Sequence, residues 1–414
     1  MTQRMELLAP IGGMEQLTAA VRYGANAVYG GMKQYGLRAF AGNFGPRELS
    51  DAVAYAHAHS VRFYLTMNVL PRDYELPGFV AAAREAHAAG VDAVIVSDLG
   101  AALALHEALA QLPIHISTQA NVLNARTALH LHEAVGAERI VLSRELSLAQ
   151  IAAMRQSLPP TLALEAFVHG AMCVAYSGRC LLSAALTGRN ANQGACAQPC
   201  RWQYQLVEQK RPDAPLPICE DEHGTYLFSA HDLCMLPHLP EMRSAGICSL
   251  KIEGRMKTAY YVATVVGAYR RALNLLELEG EAAFRAAVPE LLCELGKASH
   301  RASDTGFYFG APAQPAGVNG FSQTMEYAAD VVEDAAPGTP ALLRLKNRFN
   351  VGDAMEALTP DGSKPFTATA LTLAQTGEVV QTAGVAGTLL RMPFPFAVKA
   401  GDILRGPNRN HRSA

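Results

Sequence analysis

Four of the chain's eight cysteines, Cys173, Cys180, Cys196 and Cys200, fall within EAFVHGAMCVAYSGRCLLSAALTGRNANQGACAQPCRW, residues 165–202. Their neighbours are Gly, Ser, Asn and Gln, with no helical or strand-like apolar pattern. A cysteine that only fills a core arrives singly on an apolar face. Four in one Gly-rich loop point to a shared inorganic ligand or to two disulfides. The C-x3-C spacing of Cys196 and Cys200 suits zinc, but the seven-residue step from Cys173 to Cys180 does not. An iron–sulfur cluster accepts thiolates from dispersed loop positions, and the intervening backbone N–H groups can bond its sulfurs. On chemistry alone iron–sulfur, zinc and nucleophilic or structural thiols stay open, in that order of fit. Cys219 and Cys234 follow closely enough to supply a fourth ligand. Cys248 and Cys293 sit in apolar contexts and read as core.

Other polar residues gather where short apolar runs end. Asn68, Asp98, Ser117, Gln119, Ser143, Arg144 and Glu145 follow four such runs. Glu165 and His169 lie on and just past another, and Lys251, Glu253 and Arg255 on a last one. Charges on a buried strand are unfavourable unless paired or used. Lys251 and Glu253, two apart and on one facing, are expected to form a buried ion pair. Arg38, in QYGLRAFAGNF, can clamp an anionic substrate bidentately. His169 is a candidate acid–base group, or a hydrogen-bond partner for the loop backbone. No HExxH and no GxSxG occurs, and no cysteine stands in a protease-like nucleophile context.

These residues need a scaffold. Short β-branched runs at 5–10, 26–31, 61–68, 92–98, 114–119, 139–144, 162–170 and 249–255 alternate with Ala-rich amphipathic stretches. That alternation predicts βαβ units and a parallel sheet. Eight of them predict a closed α/β (β/α)8 TIM-like barrel, whose strand C-termini carry the chemistry. The cysteine segment lies in a long insertion, 170–248, after the seventh strand; long insertions in compact domains are usually functional. Residues 1–300 form the expected barrel domain, continuing as helix over 258–300. A polar Gly/Pro stretch, 301–326, reads as a linker, and 327–414 as a small all-β barrel.

Half of the residues are hydrophobic and 17% are charged, so a sizeable core is expected. A formal net charge of −2 gives no global attraction to nucleic acid. Any RNA contact needs a local patch, for which Lys346, Arg348, Arg391, Arg405, Arg409 and Arg412 are candidates if they share a face. No signal-peptide pattern opens the chain, and no apolar run is long enough to span a membrane. A cytoplasmic location is expected, where thiols stay reduced and a Cys-rich loop binds metal or catalyses.

Longer motifs then carry a family resemblance. MELLAPIGGMEQLTAAVRYGANAVYGG, YGLRAFAGNF, STQANVLN with SREL, EAFVHGAMCVAYSGRCLLS, GACAQPCRW and DLCMLPHLPEMRSAGICSLKIEGRMKTAYYVATV resemble the collagenase-like peptidase family U32 along nearly the whole chain. LKNRFNVGD and the C-terminal β region make it most similar to the tRNA-hydroxylating branch. The resemblance implies a TIM-like barrel with a small β-barrel and an oxygen-sensitive [4Fe–4S] cluster on Cys173, Cys180, Cys196 and Cys200. The fourth ligand is open among Cys200, Cys219 and Cys234. It further implies hydroxylation of the tRNA wobble uridine to 5-hydroxyuridine without molecular oxygen, with prephenate as co-substrate and a partner of the same family. The peptidase name comes from collagen degradation by some members. Proteolysis and a non-catalytic RNA-binding subunit are the alternatives.

Overall fold

The computed structural model describes residues 4–37, 42–173, 182–189, 195–197, 199, 219–221, 224–226, 231–310 and 321–408. Eight parallel strands form where the β-branched runs predict them. They are β1 (Glu6–Pro10), β2 (Ala27–Gly31), β3 (Arg62–Met67), β4 (Ala93–Val96), β5 (Ile114–Ile116), β6 (Ala137–Val141), β7 (Ala163–Ala171) and β8 (Ser249–Ile252). Each pairs in parallel with the next, and β8 pairs with both β7 and β1, which closes the barrel. Strands such as AVIV in β4 are buried throughout, as both faces of a parallel sheet are covered.

Helices α1 (Met14–Arg22), α2 (Pro46–Ala58), α3 (Leu76–Ala88), α4 (Leu99–Ala108), α5 (Ala125–Val135), α6 (Leu148–Gln156) and α7 (Leu239–Ser244) fill the crossovers. Alanines such as Ala82, Ala83 and Ala86 face inward on α3 and let it lie close to the sheet. Local sequence sets the starts: Asp98 accepts the Ala101 N–H at 2.8 Å, and Ser147 and Gln150 cap α6 reciprocally.

The helix expected over 258–300 is two helices. α8 (Ala259–Asn274) and α9 (Glu281–Leu295) are separated by a π turn and by Gly280 at φ 93°, a conformation no helix continues through. The stretch expected as a linker is partly sheet. Ser303–Asp304 pairs with Asp232–Cys234, which itself adds antiparallel to β7.

Beyond residue 324 eight of the ten described strands, from Met325–Val331 to Ile403–Pro407, form an antiparallel sheet, and Phe349–Asn350 pairs with Thr382–Ala383 in a separate two-stranded one. This region has its own apolar core, including Leu343, Phe349, Leu390 and Phe394. Buried polar contacts join it to the barrel. Arg405, with no exposed surface, is bidentate to Glu294 at 2.6 and 2.8 Å and also bonds Glu356. Arg22 pairs with Asp402, and the Tyr23 hydroxyl donates to the Leu358 carbonyl at 2.7 Å. Arg405 is thus a clamp between the two parts and cannot reach RNA. Lys346 pairs with Glu15 and Asp330, while Arg409 and Arg412 lie outside the described residues. Among the described residues no helix is long and apolar enough to cross a membrane.

Candidate active site at the barrel mouth

Alternate residues of each strand point into the barrel, and here several of them are charged. At the N-terminal end Glu6 accepts from the Ser249 hydroxyl at 2.8 Å, from Arg139 at 2.5 Å, from the Tyr64 hydroxyl at 2.9 Å and from Arg62. Arg139 also donates to Glu165 at 2.9 Å. Glu165, fully buried, takes the Lys251 ammonium on its other oxygen at 2.9 Å. The result is an ionic column, Glu6–Arg139–Glu165–Lys251, rising from the barrel floor toward the mouth.

Burial opposes the charges of Glu6 and Glu165. Arg139 with Arg62 at Glu6, and Lys251 with Arg139 at Glu165, outweigh it and hold both carboxyls below their usual range. The column therefore contains three cations, Arg62, Arg139 and Lys251, against two carboxylates. His115 lies beside it. Burial first, and the nearby Arg139 next, push that imidazole well below its normal range, so it adds no charge.

Above the column is a cavity at the C-terminal ends of the strands. Its lining includes Lys251, Glu253, Arg255, Arg144, Asn68 and Gln119, with Tyr29, Ile95 and Phe167 as apolar walls. Lys251 forms its floor, with Nζ 4.3 Å from the Tyr29 ring centroid. An ammonium has three donors, and among the described residues only Glu165 takes one. Arg255 is buried and donates to Thr66 at 2.9 Å and Asn43 at 2.6 Å. A Cβ at Gly31 would lie 2.3 Å from its Nη2, so glycine there makes room for the guanidinium. Arg144 stacks over Phe167 at 3.9 Å and donates to the Ala171 carbonyl at 3.2 Å. That bond ties the cavity wall to the end of β7, two residues before Cys173.

The remaining expected positions sort by geometry. Lys251 makes its ion pair with Glu165 on the adjacent strand, where the sequence pointed to Glu253. Glu253 lies past the end of β8, its carboxylate 3.4 Å from the Tyr29 hydroxyl. His169 does not line the cavity. The register shifts between Lys251 and Ile252, whose partners are Phe167 and His169; this bulge turns His169 out of the inward alternation. It packs on Tyr261 and Tyr269 of α8 at 6.2 and 5.6 Å, and burial lowers its pKa to about 4. Asp98 caps α4, and the Ser143 hydroxyl donates to Asn121 at 3.0 Å. Arg38 lies outside the described residues, next to the cavity-lining Leu37. Sequence reasoning missed Glu6, Arg62, Arg139, Tyr29, Thr66 and Phe167. All six stand on predicted strands, and counting inward parity from Lys251 and Glu165 across the closed barrel was the signal available.

Of the cysteines, Cys173 is exposed just beyond β7, and Cys196 is half-buried. The backbone on either side of Cys196 is held, since the Ala197 N–H donates to Ser183 at 3.0 Å and Arg189 donates to the Ala195 carbonyl at 3.2 Å. Cys180 and Cys200 lie outside the described residues. Cys219 sits in a short hairpin opposite Tyr226. Cys234 is buried opposite His169, and burial pushes its thiol up. Cys248 is half-buried with its thiol 3.4 Å from the Leu164 carbonyl. Cys293 is exposed on α9 rather than core. Gly170 (φ 105°) begins this segment where a Cβ would come 2.5 Å from the Glu253 carbonyl.

Comparison with known proteins agrees with this architecture. The family model "Peptidase family U32" matches residues 12–317, and its C-terminal-domain model matches 323–405. The chain is 33% identical to tRNA hydroxylation protein P of Escherichia coli K12, over 94% of both chains. It is 36% identical to the 23S rRNA 5-hydroxycytidine C2501 synthase of the same organism, over 68% of this chain and 41% of that one. A collagenase of Porphyromonas gingivalis is 34% identical over 65% of each. By both family models the chain belongs to peptidase family U32.

Proposed function

We propose that the chain is an RNA-modifying hydroxylase that converts the wobble uridine of tRNA to 5-hydroxyuridine without molecular oxygen. The observation that carries this reading is the similarity, over 94% of both chains, to a protein named for tRNA hydroxylation. A second relative named for hydroxylating an RNA pyrimidine supports it. An anticodon-loop base can be splayed out of its stack and delivered to a protein pocket.

The co-substrate in this reading is a small organic acid, prephenate. The cavity suits an anion: Lys251, Arg144 and Arg255 line it against the single carboxylate of Glu253. Lys251 and Arg144 orient the acid, the apolar walls exclude water, and Glu165 fixes Lys251. Arg38 is assigned to the same anion from its place beside Leu37.

A [4Fe–4S] cluster on Cys173, Cys180, Cys196 and Cys200 belongs to the proposal. The reading is supported by Cys173, an exposed thiol that follows the strand end Arg144 ties to the cavity. Buried Cys234 with its raised thiol suits core packing better than ligation. Bound there, a cluster supplies one-electron transfer. tRNA is the partner, with a second chain of the family as a further one, in the cytoplasm where tRNA is handled.

Peptide hydrolysis has less to stand on. The cavity lining contains no thiol and no imidazole among the described residues. The test is nucleoside mass spectrometry of tRNA from cells with and without this gene. Loss of wobble 5-hydroxyuridine supports the reading and unchanged tRNA removes it. Collagen hydrolysis that survives replacement of the four cysteines would return the peptidase reading to first place.

A further inference from the structure

A second depression opens beside the cavity, on the loops that follow β2 and β3. Gln34, Tyr35, Leu70, Arg72, Tyr74 and Glu75 line it. It shares a wall with the cavity: the Leu37 N–H donates to Asn68 at 3.1 Å, the Val69 N–H donates to the Tyr35 carbonyl at 3.4 Å, and Leu37 and Asn68 both line the cavity.

The floor is rigid and the rim is exposed. Tyr35 is braced edge-on against the fully buried Phe79, with ring centroids 5.3 Å apart. Tyr74, by contrast, is 74% exposed. Tyrosine usually buries its ring and leaves only its hydroxyl wet, so a bare ring next to a candidate active site needs an explanation. Arg72 is exposed and makes no ion pair among the described residues. Glu75 is committed locally, accepting the Arg72 backbone N–H at 2.8 Å.

From this arrangement we infer that the depression is a subsite for one unpaired nucleotide flanking the target uridine, its base stacked on Tyr74 and its phosphate met by Arg72. An aromatic face, a guanidinium and an amide (here Gln34) are the groups with which single-stranded RNA is held. Asp73 and Glu75 lie beside Arg72, so phosphate attraction is weak here and stacking dominates. The inference rests on the RNA-hydroxylase reading, and extends it to where the neighbouring nucleotide sits.

The test is fluorescence anisotropy of the full chain with a labelled anticodon stem-loop RNA. Tyr74→Ala is expected to weaken binding about tenfold, while Tyr74→Phe stays within about twofold of wild type because the stacking face is kept. Arg72→Gln is expected to weaken binding and lower the salt-dependence slope by about one. Wild-type binding of Tyr74→Ala, with Tyr74→Phe equally unaffected, overturns the subsite while leaving the hydroxylase reading intact. Failure of the wild-type chain to bind the stem-loop, together with unchanged tRNA in the deletion strain, overturns both.

Discussion

The fate of single charges inside the barrel decides what the mouth can bind. Glu165 sits between Arg139 and Lys251 with no water contact. Removing one member of such a group strands the others, and costs about 3–5 kcal/mol. Glu165→Gln is therefore expected to lower unfolding free energy by roughly that amount in denaturant titration. The carboxyl's lowered folded pKa means its contribution is complete above the ordinary value of 4.5 and fades as pH falls below it. His169 acts in a different window. Its folded pKa of about 4 lies below the ordinary 6.5, so between those values only the unfolded chain takes up the proton. Stability is then lost as pH falls from 6.5 toward 4, by on the order of 3 kcal/mol for this group. His115 adds to the same trend. His169→Phe is expected to flatten part of that slope in urea titrations at stepped pH; an unchanged slope would contradict the burial of a neutral imidazole. Lys251, Glu253 and Arg255 were legible in the sequence because charges on a strand stand out. The partner of Lys251 was not, because Glu165 meets it only when β7 and β8 close side by side. His169 was misplaced for a local reason, a bulge that periodicity cannot show.

Elements position these residues with little slack. All eight barrel strands were readable because β-branched runs with turn signals leave few alternatives. Less readable were features that depend on one backbone angle or on a distant neighbour. Gly280 splits α8 from α9 through a positive φ, and Asp232–Cys234 becomes a strand only because β7 offers it an edge. Gly170 combines both constraints, at φ 105° against the Glu253 carbonyl. Gly170→Ala is expected to destabilise the fold by about 1–3 kcal/mol in denaturant titration. A loss below about 0.5 kcal/mol would mean that the backbone there adapts, and that the cysteine segment is not rigidly launched from β7.

For the whole molecule, the C-terminal sheet is fixed to the barrel by a buried guanidinium, so Arg405, one of the six basic residues offered as an RNA face, is spent inside the fold. The sequence made Arg405 look like a phosphate contact. Its fold-stabilising role depends on Glu294 and Glu356, far away in the chain. Arg405→Lys loses the bidentate geometry and is expected to lower stability by about 2–4 kcal/mol, checked by calorimetry. In the proposed reading the target base enters at the barrel mouth, above Lys251. The most direct measurement is nucleoside mass spectrometry of tRNA from a deletion strain complemented with wild type or with Lys251→Met, at matched protein levels. The account predicts that wobble 5-hydroxyuridine returns with the wild-type chain and not with the variant. Full restoration by Lys251→Met would contradict it.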